Sequence, residues 1–140
     1  MAQLDVPDDK LNIPAMAEKT LQSIAIVDDD PSVLKALARL LGTRSFATKT
    51  YLSAPQFLAA LPEGLPDCLI ADLQMPEMTG LELQLALARR GVQIPTIIIT
   101  AHDEAGMRER CKSAGAIAYL AKPVSDTSLF AAIDSAGNRS

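Results

Sequence analysis

The chain is poor in aromatic residues and cysteine. It has no tryptophan, only 4% aromatic residues and two cysteines among 140 residues. The core must therefore be aliphatic, and a chain of this length with 49% hydrophobic residues can bury one such core. Cys68 and Cys111 lie far apart and in no metal-type spacing such as Cys-x-x-Cys. This pattern predicts reduced, buried or half-buried thiols in a cytoplasmic protein.

Long apolar runs and an excess of basic charge are also missing. No apolar run approaches the roughly 18 residues of a membrane span. A net charge of −4 argues against nonspecific binding to nucleic acid or to an anionic membrane. The first residues are acidic and are broken by Pro7 and Pro14, unlike a signal peptide. We expect residues 1–20 to form a flexible arm outside a single domain of residues 21–140.

From residue 22 onward, short apolar segments alternate with helical patterns. The apolar segments predict strands at residues 23–27, 46–51, 67–73, 95–100 and 117–121. Each predicted strand is followed by a helical segment before the next strand begins. Such alternation is typical of parallel strands joined by right-handed crossovers. The predicted fold class is therefore α/β, with a doubly wound sheet of five parallel strands.

Local signals predict where four of the helices begin. The predicted capping or starting residues are Asp30, Ser53, Asp103 and Ser125. Asp30 is followed by Pro31 at the first helical position, and Gly42 is expected to end that helix. The helix that starts at Asp103 is expected to end near Ala114.

The segment from Leu81 to Arg90 gives conflicting signals. Its leucines alternate with other residues, which is the period of a strand. Every residue in it is nevertheless Leu, Ala, Glu, Gln or Arg, and all of these are strong helix formers. Composition and length predict a helix. Such a helix is expected to leave Leu83 or Leu87 off the main buried face.

Polar residues stand where four of the predicted strands end. They are Asp28, Asp29 and Asp30 after the first strand, Asp72, Thr100 and Lys122. In an open parallel sheet these ends share one edge, where ligands bind. Several carboxylates at one point repel each other, and a hard dication relieves that repulsion. Mg²⁺ needs few protein oxygens, so Asp29 and Asp72 are its expected direct ligands, while Asp30 is assigned to the helix cap.

The same edge of the sheet can hold a phosphoryl group. Lys122 and a metal ion together can neutralise its charge. The sequence places no Cys or Ser nucleophile beside a base, so the candidate nucleophile is a carboxylate. Attack by Asp72 on a phosphoryl donor would give an acyl phosphate, which is a known covalent route for Asp. The remaining requirements are in-line positioning and charge stabilisation.

These residues belong to four longer motifs. They are Ile-Val-Asp-Asp-Asp at 26–30, Ala-Asp-Leu-Gln-Met-Pro-Glu-Met-Thr-Gly at 71–80, Ile-Thr-Ala at 99–101 and Tyr-Leu-Ala-Lys-Pro at 119–123. With them the chain resembles, over residues 22–135, the receiver domain of two-component response regulators. The resemblance implies a flavodoxin-like, CheY-like sheet with strand order 2-1-3-4-5.

The resemblance also implies roles at the site. Asp72 would accept a phosphoryl group from a phosphohistidine on a sensor kinase or phosphotransfer protein. Asp28 would hold Mg²⁺ through water, while Asp29, Asp72 and the backbone carbonyl of Gln74 would bind it directly. Lys122 would contact the phosphoryl group and Asp72. The chain would be a phosphoacceptor switch with its own autophosphorylation and autodephosphorylation chemistry, rather than an enzyme.

Further positions match the switch of this family. On phosphorylation the Thr100 hydroxyl would bond a phosphoryl oxygen, and the Tyr119 ring would turn inward. The fourth helix, fifth strand and fifth helix would then bind a downstream protein or a second phosphorylated receiver, with no direct contact to nucleic acid or membrane. The Lys122–Pro123 peptide bond is expected to be cis. Gln74 and His102 would tune the phosphoryl lifetime, although His102 can equally be a solvent-facing loop residue.

Three other functions remain open at this point. The chain can be a receiver that belongs to a longer, DNA-binding transcription factor. It can also be a Mg²⁺-dependent phosphohydrolase with Asp28 as its nucleophile in an Asp-x-Asp pattern with Asp30, but such enzymes need a longer chain and a later acidic motif. An FMN binder of the same fold is disfavoured, because the loop after the first strand is acidic and would repel a phosphate.

Overall fold

The computed structural model describes residues 21–137, so the predicted arm at residues 1–20 lies outside the described part. Five parallel strands form one sheet in the order β2-β1-β3-β4-β5, which confirms the predicted topology. The strands are β1 Ser23–Val27, β2 Ala47–Tyr51, β3 Cys68–Asp72, β4 Thr96–Thr100 and β5 Ala116–Ala121. Each lies within one residue of its predicted bounds.

Five helices cover the two faces of the sheet. They are α1 Pro31–Gly42, α2 Ala54–Ala60, α3 Gly80–Arg89, α4 Met107–Ser113 and α5 Asp126–Gly137, with a 3₁₀ turn at Leu61–Glu63 after α2. Helices α1 and α5 pack on one face and α2, α3 and α4 on the other, which gives two aliphatic cores. This is the doubly wound arrangement that the alternation of strands and helices predicted.

The central strands are buried on both faces and their ends are held by further backbone bonds. Every residue of β3 and β4 is buried, as expected for aliphatic strands inside a parallel sheet. Beyond the strands, Asp28 N donates to Tyr51 O at 3.1 Å and Lys122 N donates to Thr100 O at 2.8 Å. These bonds fix the backbone of two predicted site residues immediately after their strands.

Three helices begin at the capping residues that the sequence indicates. The Asp30 carboxylate accepts a hydrogen bond from Ser32 N at 2.9 Å, with Pro31 at the first helical position. The Ser53 hydroxyl accepts from Gln56 N, and the Ser125 hydroxyl accepts from Ser128 N. Asp30 is therefore an N-cap, and its carboxylate serves the helix rather than the other acids.

Helix α3 corrects one prediction about its leucines. The segment is a helix, as its composition indicates, but Leu83 and Leu87 are both buried. The exposed leucine is Leu85, at 42% of its accessible surface. Residues 83 and 87 are one helical turn apart and share a face, whereas Leu85 shares the opposite face with Glu82. The alternation of leucines therefore does not reflect the buried pattern.

Helix α4 begins later than predicted. It starts at Met107 rather than at Asp103, and it ends at Ser113. Asp103 does not cap it, because its carboxylate accepts a hydrogen bond from the Tyr119 hydroxyl at 3.1 Å. The residue before the helix, Gly106, has a φ of +80°, a backbone conformation that glycine adopts without strain. The β4–α4 connection is therefore a loop of residues 101–106.

Both cysteines are buried free thiols, as predicted. Cys68 lies in β3 and Cys111 in α4, and burial raises the pKa of both thiols, that of Cys68 to about 12. Neither thiol is therefore in its reactive thiolate form at neutral pH. Within residues 21–137, none of the helices is both long enough and apolar enough to span a bilayer.

Candidate functional site

Three carboxylates converge at the carboxyl edge of the sheet. Asp28 and Asp29 follow β1, and Asp72 is the last residue of β3, the neighbouring strand. Each can offer one oxygen such that the three oxygens lie within 4.8 Å of one another. Asp28 and Asp72 are buried, while Asp29 is exposed. The acids at these two strand ends therefore lie together, as their positions in the sequence predict.

Asp28 is held by bonds to both of its oxygens. Its Oδ1 accepts from Asp30 N at 2.9 Å, and its Oδ2 accepts from Lys122 Nζ at 2.9 Å. The carboxylate is thereby oriented from two sides although it is fully buried. Both oxygens of Asp28 therefore already have partners, which leaves this carboxylate less free than Asp29 or Asp72 to bind a ligand directly.

Lys122 joins the acids of the two strands. Its Nζ lies 3.4 Å from Asp72 Oδ1, an ion pair that is too long and loose to be a good hydrogen bond. Burial alone would lower the pKa of Lys122, but the bond to Asp28 and the charges of both acids raise it above its ordinary value. Lys122 is therefore a permanent cation at the site. The peptide bond that follows it, Lys122–Pro123, is cis.

The Asp72 carboxylate is the least satisfied of the three. Burial, and next the negative charge of Asp28, raise its pKa from an ordinary 3.8 to about 6, although Lys122 opposes the shift. Its buried Oδ1 has no hydrogen-bond partner within the described residues. A buried carboxylate oxygen that has no hydrogen bond and lies beside two further acids is a donor set that suits a hard dication such as Mg²⁺. The residues present therefore fit a Mg²⁺ ion.

Gly80 brings the start of α3 against the end of β3. A Cβ at position 80 would lie 2.7 Å from the backbone oxygen of Asp72, so no larger residue fits without movement. Gly80 N also donates to Leu73 O at 3.0 Å. This close contact fixes the backbone on which the Asp72 side chain stands.

Thr100 and Gln74 are linked across two loops. The Thr100 Oγ1 lies 2.8 Å from Gln74 Oε1 and 2.8 Å from His102 O, and it accepts from His102 N at 3.1 Å. Gln74 Nε2 also donates to His102 O at 3.0 Å. Thr100 is fully buried and His102 is exposed. His102 contributes to this network through its backbone.

Tyr119 lies inside the protein, only 3% exposed. Its hydroxyl donates to Asp103 Oδ1, and the Arg108 guanidinium lies 4.9 Å from the centre of its ring. Burial, and next the Asp103 bond, raise the pKa of Tyr119 to about 12. The Tyr119 ring is therefore already buried in this structure, and its inward turn on phosphorylation stays a prediction.

Sequence reasoning missed the two residues that hold Tyr119. Nothing in the sequence points to Arg108, and the pattern around Asp103 indicates a helix start. No local pattern could have indicated either contact, because both depend on the path of the loop at 101–106. The structure thus gathers Asp28, Asp29, Asp72 and Lys122 at one point, whereas the Thr100 hydroxyl points to the neighbouring loops.

Comparison with known proteins gives a consistent match. The sequence model described as the response regulator receiver domain matches residues 24–134. The chain is 40% identical over 114 residues to the transcriptional regulatory protein FixJ of Rhizobium meliloti (strain 1021), covering 81% of this chain and 56% of that protein. It is 42% identical over 113 residues to the response regulator protein TmoT of Ectopseudomonas mendocina, covering 81% and 51%. The chain therefore spans about half the length of these curated relatives.

Solved structures agree with the sequence matches. The crystal structure of FixJ-N is similar with a TM-score of 0.78 at 38% identity, covering 85% of this chain and 95% of that one. A response regulator receiver protein from Burkholderia phymatum has a TM-score of 0.73 at 43% identity, covering 85% and 97%.

Proposed function

The chain belongs to the response regulator receiver family, and from that membership we propose that Asp72 is its phosphoacceptor. The observation that carries the proposal is the environment of this carboxylate. Asp72 is buried at the end of β3, beside two other acids and Lys122, and its pKa is raised to about 6. It is therefore ionised at neutral pH but poorly satisfied. We propose a phosphohistidine of a sensor kinase or phosphotransfer protein as the donor.

The transfer needs little from the protein beyond position and charge. A carboxylate oxygen of Asp72 forms a bond to phosphorus while the bond from phosphorus to the donor nitrogen breaks, and that nitrogen keeps the electron pair. Lys122, already charged and 3.4 Å from Asp72, offsets the new negative charge. Asp29, Asp72 and the carbonyl of Gln74 would hold Mg²⁺ directly, and Asp28 would hold it through water. The metal, when bound, supplies positive charge at the phosphoryl oxygens.

We propose that the phosphoryl group is read through Thr100 and Tyr119. The Thr100 hydroxyl would turn to a phosphoryl oxygen, which changes the loop at 101–106 and, through Asp103, the surroundings of Tyr119. Tyr119 belongs to β5, and Thr100 ends the neighbouring strand β4. The surface formed by α4, β5 and α5 would bind a downstream protein or a second phosphorylated copy. Gln74 and His102 would set how long the acyl phosphate lasts.

Family members act as signalling switches rather than as conventional enzymes. For this chain we propose autophosphorylation from small phosphodonors, autodephosphorylation and a location in the cytoplasm. The two free, buried thiols are compatible with a reducing compartment. The acidic net charge of −4 supports a protein rather than nucleic acid as the direct partner of this domain.

Labelling with radioactive acetyl phosphate in the presence of Mg²⁺ tests the phosphoacceptor. We expect Asp72→Asn to abolish labelling, and Asp28→Asn and Asp29→Asn to weaken it. Asp134→Asn is the matched control, because Asp134 is an exposed acid on α5 and its loss should leave labelling unchanged. Full labelling of Asp72→Asn would overturn the proposal in favour of another nucleophile such as Asp28.

A second candidate is the receiver part of a longer transcription factor. It is favoured by one observation: the chain spans 56% of a relative whose name is transcriptional regulatory protein. In that case the signal would pass from the receiver to a DNA-binding segment of the same polypeptide. Reading the gene past the codon for Ser140 tests this, since an open frame that encodes a DNA-binding domain would support it and an immediate stop codon would exclude it.

A further inference from the structure

The side chain of Gln74 engages the one hydroxyl that the proposed switch must use. Gln74 lies in the β3–α3 connection, two residues after Asp72, and its amide reaches across to the β4–α4 loop. There it meets both Thr100 Oγ1, at 2.8 Å, and His102 O, at 3.0 Å. Gln74 is partly buried and Thr100 is fully buried, so the bond between them is partly shielded from water, whereas the bond to His102 O is exposed. The partly shielded bond between Gln74 and Thr100 is worth more than the same bond on an open surface.

The chemistry of the contacts fixes the orientation of the amide. A carbonyl oxygen such as His102 O can only accept, so the Gln74 atom beside it must be the donor Nε2. Gln74 Oε1 then faces Thr100 and can only accept. The Thr100 hydroxyl has one proton, and its acceptors within 2.8 Å are Gln74 Oε1 and His102 O. That proton is therefore already committed to the loop network.

We propose that the Gln74 side chain is a positioning residue that holds the Thr100 hydroxyl in the loop network and so competes with the phosphoryl group for its proton. The inference rests on the proposed function and specifies its regulation. A phosphoryl oxygen on Asp72 must win this proton from two acceptors, Gln74 Oε1 and His102 O, and only the first belongs to a side chain. The network also ties Thr100 to His102, whose neighbour Asp103 bonds the Tyr119 hydroxyl. When Gln74 releases the Thr100 hydroxyl, the change would therefore reach Tyr119 through the adjacent loop residues His102 and Asp103.

The same residue would join the metal to the switch. Its backbone carbonyl is a proposed Mg²⁺ ligand, while its side chain holds Thr100. An ordinary structural role for the amide, merely tying two loops together, predicts that its removal loosens the site and weakens ligand binding. Competition for the Thr100 proton predicts tighter ligand binding instead, because only His102 O then competes with the ligand for that proton.

Trifluoroberyllate, a tetrahedral stand-in for a phosphoryl group on a carboxylate, is a suitable probe. Its affinity is measured by calorimetry at saturating Mg²⁺ for the wild type, Gln74→Leu, Thr100→Val and the double variant. We expect Gln74→Leu to bind trifluoroberyllate about fivefold more tightly, because one of the two acceptors that compete for the Thr100 proton is lost. In the Thr100→Val background, where there is no proton to compete for, Gln74→Leu should change the affinity less than twofold. Gln93→Leu makes the same replacement at an exposed glutamine and should match the wild type.

A second readout follows Thr100 directly. In methyl-labelled protein, the Thr100 methyl resonance of metal-free Gln74→Leu should move toward its position in the trifluoroberyllate complex of the wild type. If Gln74→Leu folds poorly, Gln74→Asn replaces it in both measurements. Its amide is too short to reach Thr100, so the same results are expected. Equal or weaker binding by the position 74 variants, or the same gain without the Thr100 hydroxyl, would overturn the inference. Failure of the wild type to bind trifluoroberyllate would instead reject the proposed function itself.

Discussion

Asp72 is a buried acid whose charge the metal-free protein does not fully satisfy. Its Oδ1 lacks a hydrogen-bond partner within the described residues, and the ammonium group of Lys122 stands 3.4 Å away. Lys122 is closer to Asp28, at 2.9 Å, so the cation is shared unequally. The pKa of Asp72 is raised to about 6 because Lys122 does not fully offset burial and the charge of Asp28. A site that binds a dication and a phosphoryl group benefits, because ligands relieve a repulsion that is already present.

Replacement of Asp72 should therefore stabilise the metal-free protein. The pKa of Asp72 is raised from 3.8 to about 6 in the folded state. At a pH above this range the ionised carboxylate lowers the free energy of unfolding, because the buried site disfavours its charge. The effect is absent below pH of about 4, grows as the pH rises to about 6, and is complete at pH 7. We expect Asp72→Asn to raise the free energy of unfolding at pH 7 by about 1–3 kcal/mol.

Urea denaturation with a chelator, at pH 4 and at pH 7, measures this effect. The gain in stability should be large at pH 7 and close to zero at pH 4. Asp134→Asn, on the exposed side of α5, should show no such pH-dependent gain. A loss of stability for Asp72→Asn at pH 7 would mean that the ion pair with Lys122 outweighs the cost of burial.

Residue roles could be predicted from the sequence where they depend on strand ends. Asp28, Asp29, Asp72 and Lys122 converge because parallel strands end at one edge. The contacts of Gln74 and Asp103 could not be predicted in this way. They depend on two loop paths and on side-chain rotamers, for which neither spacing nor composition gives a signal.

At the scale of secondary structure, the site depends on how closely α3 approaches β3. Gly80 is the contact point, and α3 begins there with Thr79 as its cap. The Thr79 hydroxyl accepts from Glu82 N and the Glu82 carboxylate accepts from Thr79 N, which forms a capping box. The capping box thus fixes where α3 begins, and the first residue of α3, Gly80, packs closely against the backbone of Asp72.

Gly80→Ala should disturb this contact. Its new Cβ would lie 2.7 Å from Asp72 O, a backbone atom that cannot easily move. We expect the free energy of unfolding to fall by about 1–3 kcal/mol and labelling of Asp72 to slow. Gly42→Ala is the matched control, because a Cβ there meets nothing within 4 Å. It should leave stability unchanged or raise it by up to about 1 kcal/mol. Equal effects of the two changes, measured by thermal and urea unfolding, would contradict this account of Gly80.

Element boundaries show where local signals suffice. The starts of α1, α2 and α5 follow from Asp30, Ser53 and Ser125, since each cap acts within one turn. The start of α4 does not follow, because Asp103 resembles a cap but bonds Tyr119, a partner 16 residues away. The burial of Leu83 and Leu87 likewise depends on how wide a face α3 presents to the sheet, and their alternation in the sequence does not show this.

At the scale of the whole molecule, the sheet separates two hydrophobic cores, and the candidate site lies at the carboxyl edge of the sheet. The thiols of Cys68 and Cys111 report on these cores, since Cys68 packs on the side of α1 and α5 and Cys111 on the opposite side. Both are 0% exposed and have raised pKa values. We expect both to react with a disulfide reagent such as 5,5′-dithiobis(2-nitrobenzoate) only when the domain opens.

The reaction rate of each thiol should therefore rise with urea in step with unfolding. Cys68→Ala and Cys111→Ala assign the two rates to the two faces of the sheet. Rapid reaction of either thiol in the native protein would show that its side of the sheet is not closed.

We propose above all that Asp72 carries the phosphoryl group. The most direct measurement is to phosphorylate the protein with acetyl phosphate and Mg²⁺, reduce the acyl phosphate with borohydride, and locate the resulting homoserine by peptide mass spectrometry. We expect homoserine at position 72 and aspartate at positions 28 and 29. Homoserine at Asp28 or Asp29, or at none of the three, would contradict it.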